Sequence, residues 1–469
     1  MGMKLPRVVI AAPQGRSGKT TITLGIVAAL AERGMVVQPF KKGPDYIDPG
    51  WLTGAAGRPC RNLDLFMMGE EGVLDVFRRG AADADVAIVE GAMGLYDGLD
   101  LEGSGSTARL ARLLGAPVLL VVNAARMTRS AAAMVRGYQQ FEPDVRVAGV
   151  VLNNVAGSRH ERMLVGAIER YCQIPVVGCV PRLEELAIPD RHLGLVPRGE
   201  DGGLAPAIDR ARGIVGRHLD LDRILDIARG AGSVAGWDRV VRRRDRRSAR
   251  IAVLLDRVFT FYYPENLEDL RDAGAQLEYV DSLSDPALSE VDGLYIGGGF
   301  PEVFMERLEA NRSLREDILR RIEGGLPVYA ECAGLIYLSR RVRWGDRSAE
   351  MVGALPCEIE MAAKPQGHGY AVAEVVSDNP FFRRGEVLRG HEFHNSRVSC
   401  LDRKGVSFAF RLSRGSGIDA DHSDGLLVGN VLASFVHVHA VAAPEWAERF
   451  VEMAERQSGR LAASKGGLA

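Results

Sequence analysis

Short, uninterrupted apolar runs recur along the first half of the chain: Val8-Val9-Ile10-Ala11, Val86-Ala87-Ile88-Val89, Val118-Leu119-Leu120-Val121-Val122 and Val147-Ala148-Gly149-Val150-Val151-Leu152. Longer stretches with interleaved polar residues separate them, notably 22–33, 106–114 and 127–140. Runs without alternation predict strands buried on both faces, and the stretches between them predict helices. Strand and helix in alternation describe a doubly wound parallel sheet. The pattern changes over 199–249, where 205–218 and 221–228 read as helices, Gly230-Ala231-Gly232-Ser233 breaks the periodicity and Arg242-Arg243-Arg244-Asp245-Arg246-Arg247 follows. New strands then open at Ile251-Ala252-Val253-Leu254-Leu255 and Leu294-Tyr295-Ile296. The expected organisation is a first α/β domain over 1–200, a helical and basic linker over 201–249, a second α/β domain over 250–450, and a C-terminal tail over 451–469 that is polar, small and frayed from Glu455.

The first strand leaves through Ala12-Pro13-Gln14-Gly15-Arg16-Ser17-Gly18-Lys19-Thr20-Thr21 into a helix. Strand, tight loop, helix is the setting of a P-loop. Its backbone N–H groups converge at a helix N-terminus, where the dipole favours an anion. Gly15, Ser17, Gly18, Lys19, Thr20 and Thr21 are the candidate phosphate-binding residues, with Lys19 reaching the terminal phosphates and Thr20 ligating Mg²⁺. Pro13 stands where the common pattern has its first glycine. The next strand feeds a loop that presents Lys41, Lys42, Tyr46, Asp45 and Asp48 at the edge where open α/β sheets bind ligands. Glu90 ends the run 86–89, which places an acid where nucleotide hydrolases hold a second Mg²⁺ ligand, with Asp45 the other candidate. Asn153, after the run 147–152, reads either as a partner for the nucleotide base or as a turn former.

In the second half, Gly297-Gly298-Gly299 follows a strand, and consecutive glycines let backbone N–H groups turn toward an oxyanion. Pro327-Val328-Tyr329-Ala330-Glu331-Cys332-Ala333-Gly334 carries a cysteine from strand to helix on a sharp elbow. Such a position exposes a thiol and lowers its pKa, making Cys332 the candidate nucleophile. A cysteine nucleophile needs a base, and the candidates are His368, His391, His394, His422, His437 and His439, with His437 near the end of the late strand 432–439. His391, Glu392 and His394 alternate along one strand, so they make a poor metal site; contact with the first domain or with substrate is the expected role.

Composition narrows the classes. The 469 residues are 46% hydrophobic and 26% charged, a globular balance with room for two or three domains. Lys and Arg number 59 against 61 Asp and Glu, and the net charge of -2 gives no reason to expect nucleic acid or an anionic membrane as partner. The basic run at 242–247 therefore reads as a solvated linker. Six cysteines without a C-x-x-C argue against a zinc site or a disulfide framework. No apolar run reaches the length of a membrane span and no signal peptide precedes the first strand, so the expected compartment is the cytoplasm.

The run Gln38-Pro39-Phe40-Lys41-Lys42-Gly43-Pro44-Asp45-Tyr46-Ile47-Asp48-Pro49, with Arg61-Asn62-Leu63-Asp64 and Glu90-Gly91-Ala92-Met93-Gly94-Leu95-Tyr96-Asp97-Gly98, resembles the cobyrinic acid a,c-diamide synthase family. Residues 188–197 and Arg389-Gly390-His391-Glu392-Phe393-His394-Asn395-Ser396 continue the resemblance. These enzymes amidate peripheral carboxylates of tetrapyrroles. The resemblance implies a dethiobiotin-synthetase-like P-loop domain, with an Ala-Pro variant of the loop, followed by a class I glutamine amidotransferase (flavodoxin-like) domain. It further implies ATP and Mg²⁺ as cofactors, a tetrapyrrole polycarboxylate and L-glutamine as substrates, Lys41 at the nucleotide, and Tyr46, Asp48 and Asp97 at the substrate. The resemblance also implies that His437 takes the place of the base. Class I amidotransferases usually have a glutamate two residues after the histidine; here that position is His439, leaving the orienting acid unassigned. Asn395 and the stretch 364–370 depart from the pattern, which keeps amidation of sirohaem or nickel sirohydrochlorin as an alternative. A P-loop switch protein with an inert amidotransferase domain is the alternative of another class. Oligomeric state stays open, with a homodimer among the options.

Overall fold

The structure, a computed structural model, describes residues 4–182, 190–191, 194–195, 204–234 and 249–466. The chain divides into two units, Met1–Arg239 and Val240–Ala469. The resemblance at 188–197 falls largely outside the described residues, and the basic run at 242–247 wholly so.

The first unit alternates strand and helix: β1 (Arg7–Ala11), α1 (Lys19–Glu32), β2 (Val37–Lys42), α2 (Ile47–Ala56), β3 (Arg61–Leu63), α3 (Leu65–Ala81), β4 (Val86–Glu90), α4 (Thr107–Leu113), β5 (Val118–Asn123), α5 (Ser130–Phe141), β6 (Val147–Val155), α6 (Ser158–Cys172) and β7 (Val176–Pro181). The short pair β8 (Asp190–Arg191) and β9 (Gly194–Leu195) precedes α7 (Leu204–His218) and α8 (Leu221–Arg229). Seven strands form one parallel sheet in the order β3-β2-β4-β1-β5-β6-β7. Every residue of β1 and β4 is buried, as continuous Val/Ile runs require when helices cover both faces. The order places β4 directly beside β1, so Glu90 ends next to the loop that leaves β1.

The helices α7 and α8 correct the expected linker. Ala207, Ala211, Ile214 and Val215 are buried, Asp220 N donates to Val177 O at 2.9 Å or less (2.8 Å), and the fully buried Arg7 guanidinium donates to the carbonyls of Leu114 and Gly232. Both helices thus complete the first unit's core.

The second unit contains β10 (Ala249–Leu254), β11 (Phe259–Phe261), α9 (Pro264–Asp272), β12 (Ala275–Val280), β13 (Gly293–Ile296), β14 (Gly298–Gly299), α10 (Met305–Ala310), α11 (Arg312–Glu323), β15 (Val328–Glu331) and α12 (Ala333–Leu338). It continues with β16 (Arg341–Trp344), β17 (Arg347–Glu350), β18 (Cys357–Met361), β19 (Gly367–Val375), β20 (Val387–His394), β21 (Ser396–Leu401), β22 (Ser407–Arg414), β23 (Ser423–Val428), β24 (Val431–Ser434), β25 (His437–Val438) and α13 (Trp446–Gly466). Ten strands make one sheet in the order β12-β10-β13-β15-β24-β23-β22-β19-β20-β25, parallel as far as β24 and antiparallel beyond it. Leu294 and Ile296 of β13 enter one apolar cluster and Tyr295 between them enters another, as the alternation of side chains along a strand demands. Ahead of residue 455, α13 buries Trp446, Ala447, Phe450, Val451 and Ala454 in the second of these clusters. That spacing repeats every turn of a helix, which is why the segment folds onto the sheet.

Candidate functional site

In the first unit, the loop after β1 is held from three sides. Gly18 caps α1 at φ 91°, and a Cβ there would lie 2.3 Å from Asn153 Nδ2, so only glycine permits the approach. Asn153 donates from Nδ2 to Ser17 O at 3.0 Å; its amide grips the loop backbone. Ser17 Oγ donates to Gln14 O at 2.9 Å, and Leu95 N donates to Ala12 O at 2.9 Å. Lys19 Nζ donates to Met93 O at 2.8 Å, and Asp97 Oδ2 accepts from Gly94 N at 2.8 Å. Residues 91–98 therefore lie along the P-loop, with Asp97 bracing their turn. Thr21 lies in the first turn of α1, and a Cβ at Gly15 would meet open space.

A buried charge cluster stands beside this loop. Thr20 Oγ1 donates to Glu90 Oε1 at 2.7 Å, and Lys41 Nζ donates to the same oxygen at 3.0 Å. Lys41 also contacts Asp48 and lies 3.9 Å from Asp45 Oδ2. Asp45 Oδ1 accepts from the N–H groups of Ile47 and Asp48 at 2.8 and 3.2 Å, opening α2 just past Tyr46. Burial opposes the charge on Lys41, but Asp48, Glu90 and Asp45 outweigh it and hold its pKa well above the ordinary value. Burial, then the neighbouring Asp48, pushes Asp45 up to about 7. Burial likewise raises Glu90, and burial together with Lys41 lowers Lys19. Glu90 Oε2 is buried with no hydrogen-bond partner among the described residues, a carboxylate oxygen waiting for a cationic ligand. Among the described residues no three His, Cys, Asp or Glu side chains form a metal cage. Thr20 and Glu90 suit Mg²⁺ instead, which takes few protein oxygens and fills its shell with phosphate and water.

In the second unit, β15 carries Glu331 to the elbow at Cys332, whose φ of 48° and ψ of -95° lie where a side chain is strained. Cys332 N donates to Ser434 O at 2.7 Å, tying the elbow to β24. Asp424 holds the next segment: its carboxylate accepts from Ser434 Oγ, Phe435 N and Val436 N at 3.0 to 3.2 Å. His437 follows, with Nδ1 3.5 Å from Glu331 Oε2. The glycine loop closes the other side, since a Cβ on Gly298 would lie 2.6 Å from His437 Cε1 and one on Gly299, at φ 155°, 1.8 Å from Val258 O. Gly297 N donates to Tyr262 Oη at 2.8 Å. Cys332, His437 and the Gly298-Gly299 turn are thus brought to one place.

One expectation is reversed there. The elbow was expected to lower the thiol pKa, but burial raises it far above the ordinary value, with Glu302 adding to the effect. The helix behind it, α12, has six residues, too short to offset desolvation.

Residues 8–196 match the CobQ/CobB/MinD/ParA nucleotide binding domain, and residues 250–445 match the CobB/CobQ-like glutamine amidotransferase domain. A cobyrinate a,c-diamide synthase of Magnetococcus marinus is 48% identical over 453 residues, covering 95% of this chain and 97% of that one. Proteins of the same name from Methanosarcina acetivorans and Archaeoglobus fulgidus are each 42% identical, covering 98% and 97% of this chain and 97% and 99% of theirs. The chain belongs to the cobyrinate a,c-diamide synthase family. Like its relatives it joins a nucleotide-binding domain to a glutamine amidotransferase domain, and both are α/β. Among the described residues no helix is long and apolar enough to cross a membrane.

His391, Glu392 and His394 are buried in the second unit. His391 packs against His437, ring centroids 4.9 Å apart, and its Nε2 lies 3.4 Å from Tyr263 Oη. Glu392 accepts from the N–H groups of Ser416 and Gly417 at 2.7 and 2.9 Å. His394 stacks on Phe435 at 3.9 Å, and burial pushes its pKa down to about 4. Sequence reasoning gave no role to Glu331, whose place next to the candidate nucleophile was the available signal. Because Gly298 lies against His437, Gly298→Ala must displace the ring. Glutamine-supported turnover is expected to fall by about 100-fold, the cost of a displacement near 1 Å, while ammonia-supported turnover stays within about twofold. Steady-state rates with the two nitrogen sources check it.

Proposed function

We propose that the chain is an ATP- and Mg²⁺-dependent, glutamine-hydrolysing ligase that converts peripheral carboxylates of cobyrinate to amides. The observation that supports this reading is the presence of two candidate sites in one chain: the P-loop with its Thr20–Glu90–Lys41 cluster, and the Cys332 elbow with its link to the His437 segment. The names of its relatives favour cobyrinate over sirohaem or nickel sirohydrochlorin.

A carboxylate is a poor acyl donor, so it is first activated. Its oxygen attacks the γ-phosphorus of ATP, ADP leaves and an acyl phosphate forms. Lys19 and the P-loop N–H groups hold the phosphates during transfer, and Lys41 balances the charge of Asp48 and Glu90 beside them. Thr20 and Glu90, with Asp45 the further candidate, would hold Mg²⁺, which would supply neutralisation of phosphate charge.

Because burial keeps Cys332 protonated at rest, the thiol is deprotonated as it attacks, and His437 is the base. Sulfur adds to the glutamine amide carbon, and N–H groups of the Gly298-Gly299 turn hold the oxyanion. His437 returns the proton to nitrogen, ammonia leaves and a thioester remains. Water hydrolyses the thioester to glutamate and restores the thiol. Ammonia attacks the acyl phosphate, giving the amide and inorganic phosphate.

The test is an assay with ATP, Mg²⁺ and glutamine against cobyrinate, sirohaem and nickel sirohydrochlorin, followed by product masses. Each carboxylate converted to an amide lowers the mass by about one unit, and cobyrinate is expected to lose two such units. No amide from any of the three, with nucleotide still bound, would return the chain to a P-loop switch with an inert second domain.

A further inference from the structure

We infer that Glu331, the residue immediately before the nucleophile, is the carboxylate that orients His437. The inference rests on the amidotransferase reading above and concerns an acid that the chain lacks at its usual place. Two residues after His437 stands His439, and its imidazole is engaged elsewhere. Val441 N donates to His439 Nδ1 at 3.2 Å, so Nε2 carries the proton, and that nitrogen lies 3.2 Å from Glu265 Oε2. Both side chains are fully buried, and Tyr263 packs on the His439 ring at 4.6 Å.

Glu331 has what His439 lacks. Its Oε2 is 3.5 Å from His437 Nδ1 and accepts from Tyr295 Oη at 3.3 Å. Its Oε1 accepts from Tyr329 Oη at 3.1 Å and from Val438 N at 3.1 Å, the amide next to His437. One carboxylate therefore holds the imidazole and the backbone that carries it, while its own backbone leads into Cys332. The parallel pairing of β15 with β24 makes this possible, because Glu331 aligns with Ser434, three residues before His437. With Nδ1 turned to Glu331, Nε2 is the nitrogen left to exchange protons with sulfur and the leaving amine, the division of labour of a nucleophile–histidine–acid triad. The acid has moved from the histidine strand to the nucleophile strand.

Other ionisable groups face this site. His391 and His394 approach from β20, and burial lowers both pKa values, so both are neutral. Glu302 and Asp424 raise the Cys332 pKa through their charge. Glu331 is a positioning residue, acting through His437.

The experiment compares the full-length protein with Glu331→Gln, Glu331→Asp and Glu265→Gln, measuring glutamate release with ATP, Mg²⁺ and cobyrinate across pH, and ammonia-supported amidation in parallel. Glu331→Gln keeps the shape and removes the charge. Its glutamine-supported kcat is expected to fall by about 10²- to 10⁴-fold with ammonia-supported amidation unchanged. Glu331→Asp keeps the charge, so its kcat is expected to drop by only about tenfold, recovering most of what the glutamine variant loses; it carries the test should the glutamine variant fail to fold. Glu265→Gln leaves glutamine-supported kcat within about threefold of the parent. Folded Glu331→Gln with glutamate release within about threefold of the parent, or Glu331→Asp no more active than Glu331→Gln, overturns the inference alone. A parent protein that releases no glutamate under any of these conditions overturns the amidotransferase reading and the inference with it.

Discussion

Cys332→Ala is expected to lower glutamine-supported amidation by on the order of 10⁵-fold, the scale at which removal of a nucleophile abolishes its covalent route. Ammonia-supported amidation at alkaline pH is expected to stay within about twofold of the parent. The two rates separate because sulfur serves only to cut glutamine; once ammonia is supplied, the acyl phosphate is attacked without it. The substitution also leaves the fold intact. The elbow's strained backbone, φ 48°, is held by Cys332 N donating to Ser434 O at 2.7 Å, a bond that alanine keeps. Alanine occupies that backbone region at a cost like that of cysteine, so the melting temperature should shift little. Product masses and initial rates with the two nitrogen sources decide the matter: substantial glutamine-supported turnover in this variant would move the nucleophile elsewhere.

The elements that sequence revealed are those whose burial is written in their own residues. β1, β4, β5 and β6 each carry an uninterrupted apolar run because helices cover both faces, so those runs located them, with polar residues only at or near the ends. The P-loop and the Cys332 elbow were legible for a similar reason, since backbone turns that tight demand particular residue types at fixed spacing. What stayed hidden depends on contacts across the fold. Helix α7 carries an apolar stripe, but nothing local says that its stripe faces the first unit's core, so it read as linker. The stripe Trp446, Phe450, Val451 and Ala454 was present in the sequence, and the helical spacing went unused because small and polar residues follow it. Glu331 was quoted within the elbow yet had no role, because the pairing of β15 with β24 is what carries it to His437. The sign of the thiol shift failed most instructively: the elbow motif implies exposure, and the fold supplies burial instead.

Lys41→Met is the second substitution expected to act strongly, through both activity and stability. Lys41 is buried, and its ammonium is shared by Glu90 at 3.0 Å, Asp48, and Asp45 at 3.9 Å. Removing one partner of a buried ion pair leaves charge uncompensated and typically costs about 3–5 kcal/mol. For a unit of this size that is a fall in melting temperature of roughly 10 °C. Asp45 and Glu90, which burial already pushes up, then take up protons more readily, so their folded-state pKa values stand above the unfolded ones. A raised folded pKa means stability that is present at low pH and lost as pH climbs through the folded value; Asp45, already near 7 beside the intact lysine, marks where that loss falls. The deficit relative to the parent is therefore expected to be larger at pH 8 than at pH 5.5, conditions chosen to lie on about either side of that value. Activity should disappear with either nitrogen source, because no ammonium then balances Glu90 and Asp48 beside the P-loop. Glutamate release at Cys332 has no such dependence on Lys41, which separates a damaged synthetase site from an unfolded chain. Melting curves at the two pH values, with amide formation from ammonia, check both halves; a variant that melts like the parent at both would remove Lys41 from the role of counter-charge to this cluster.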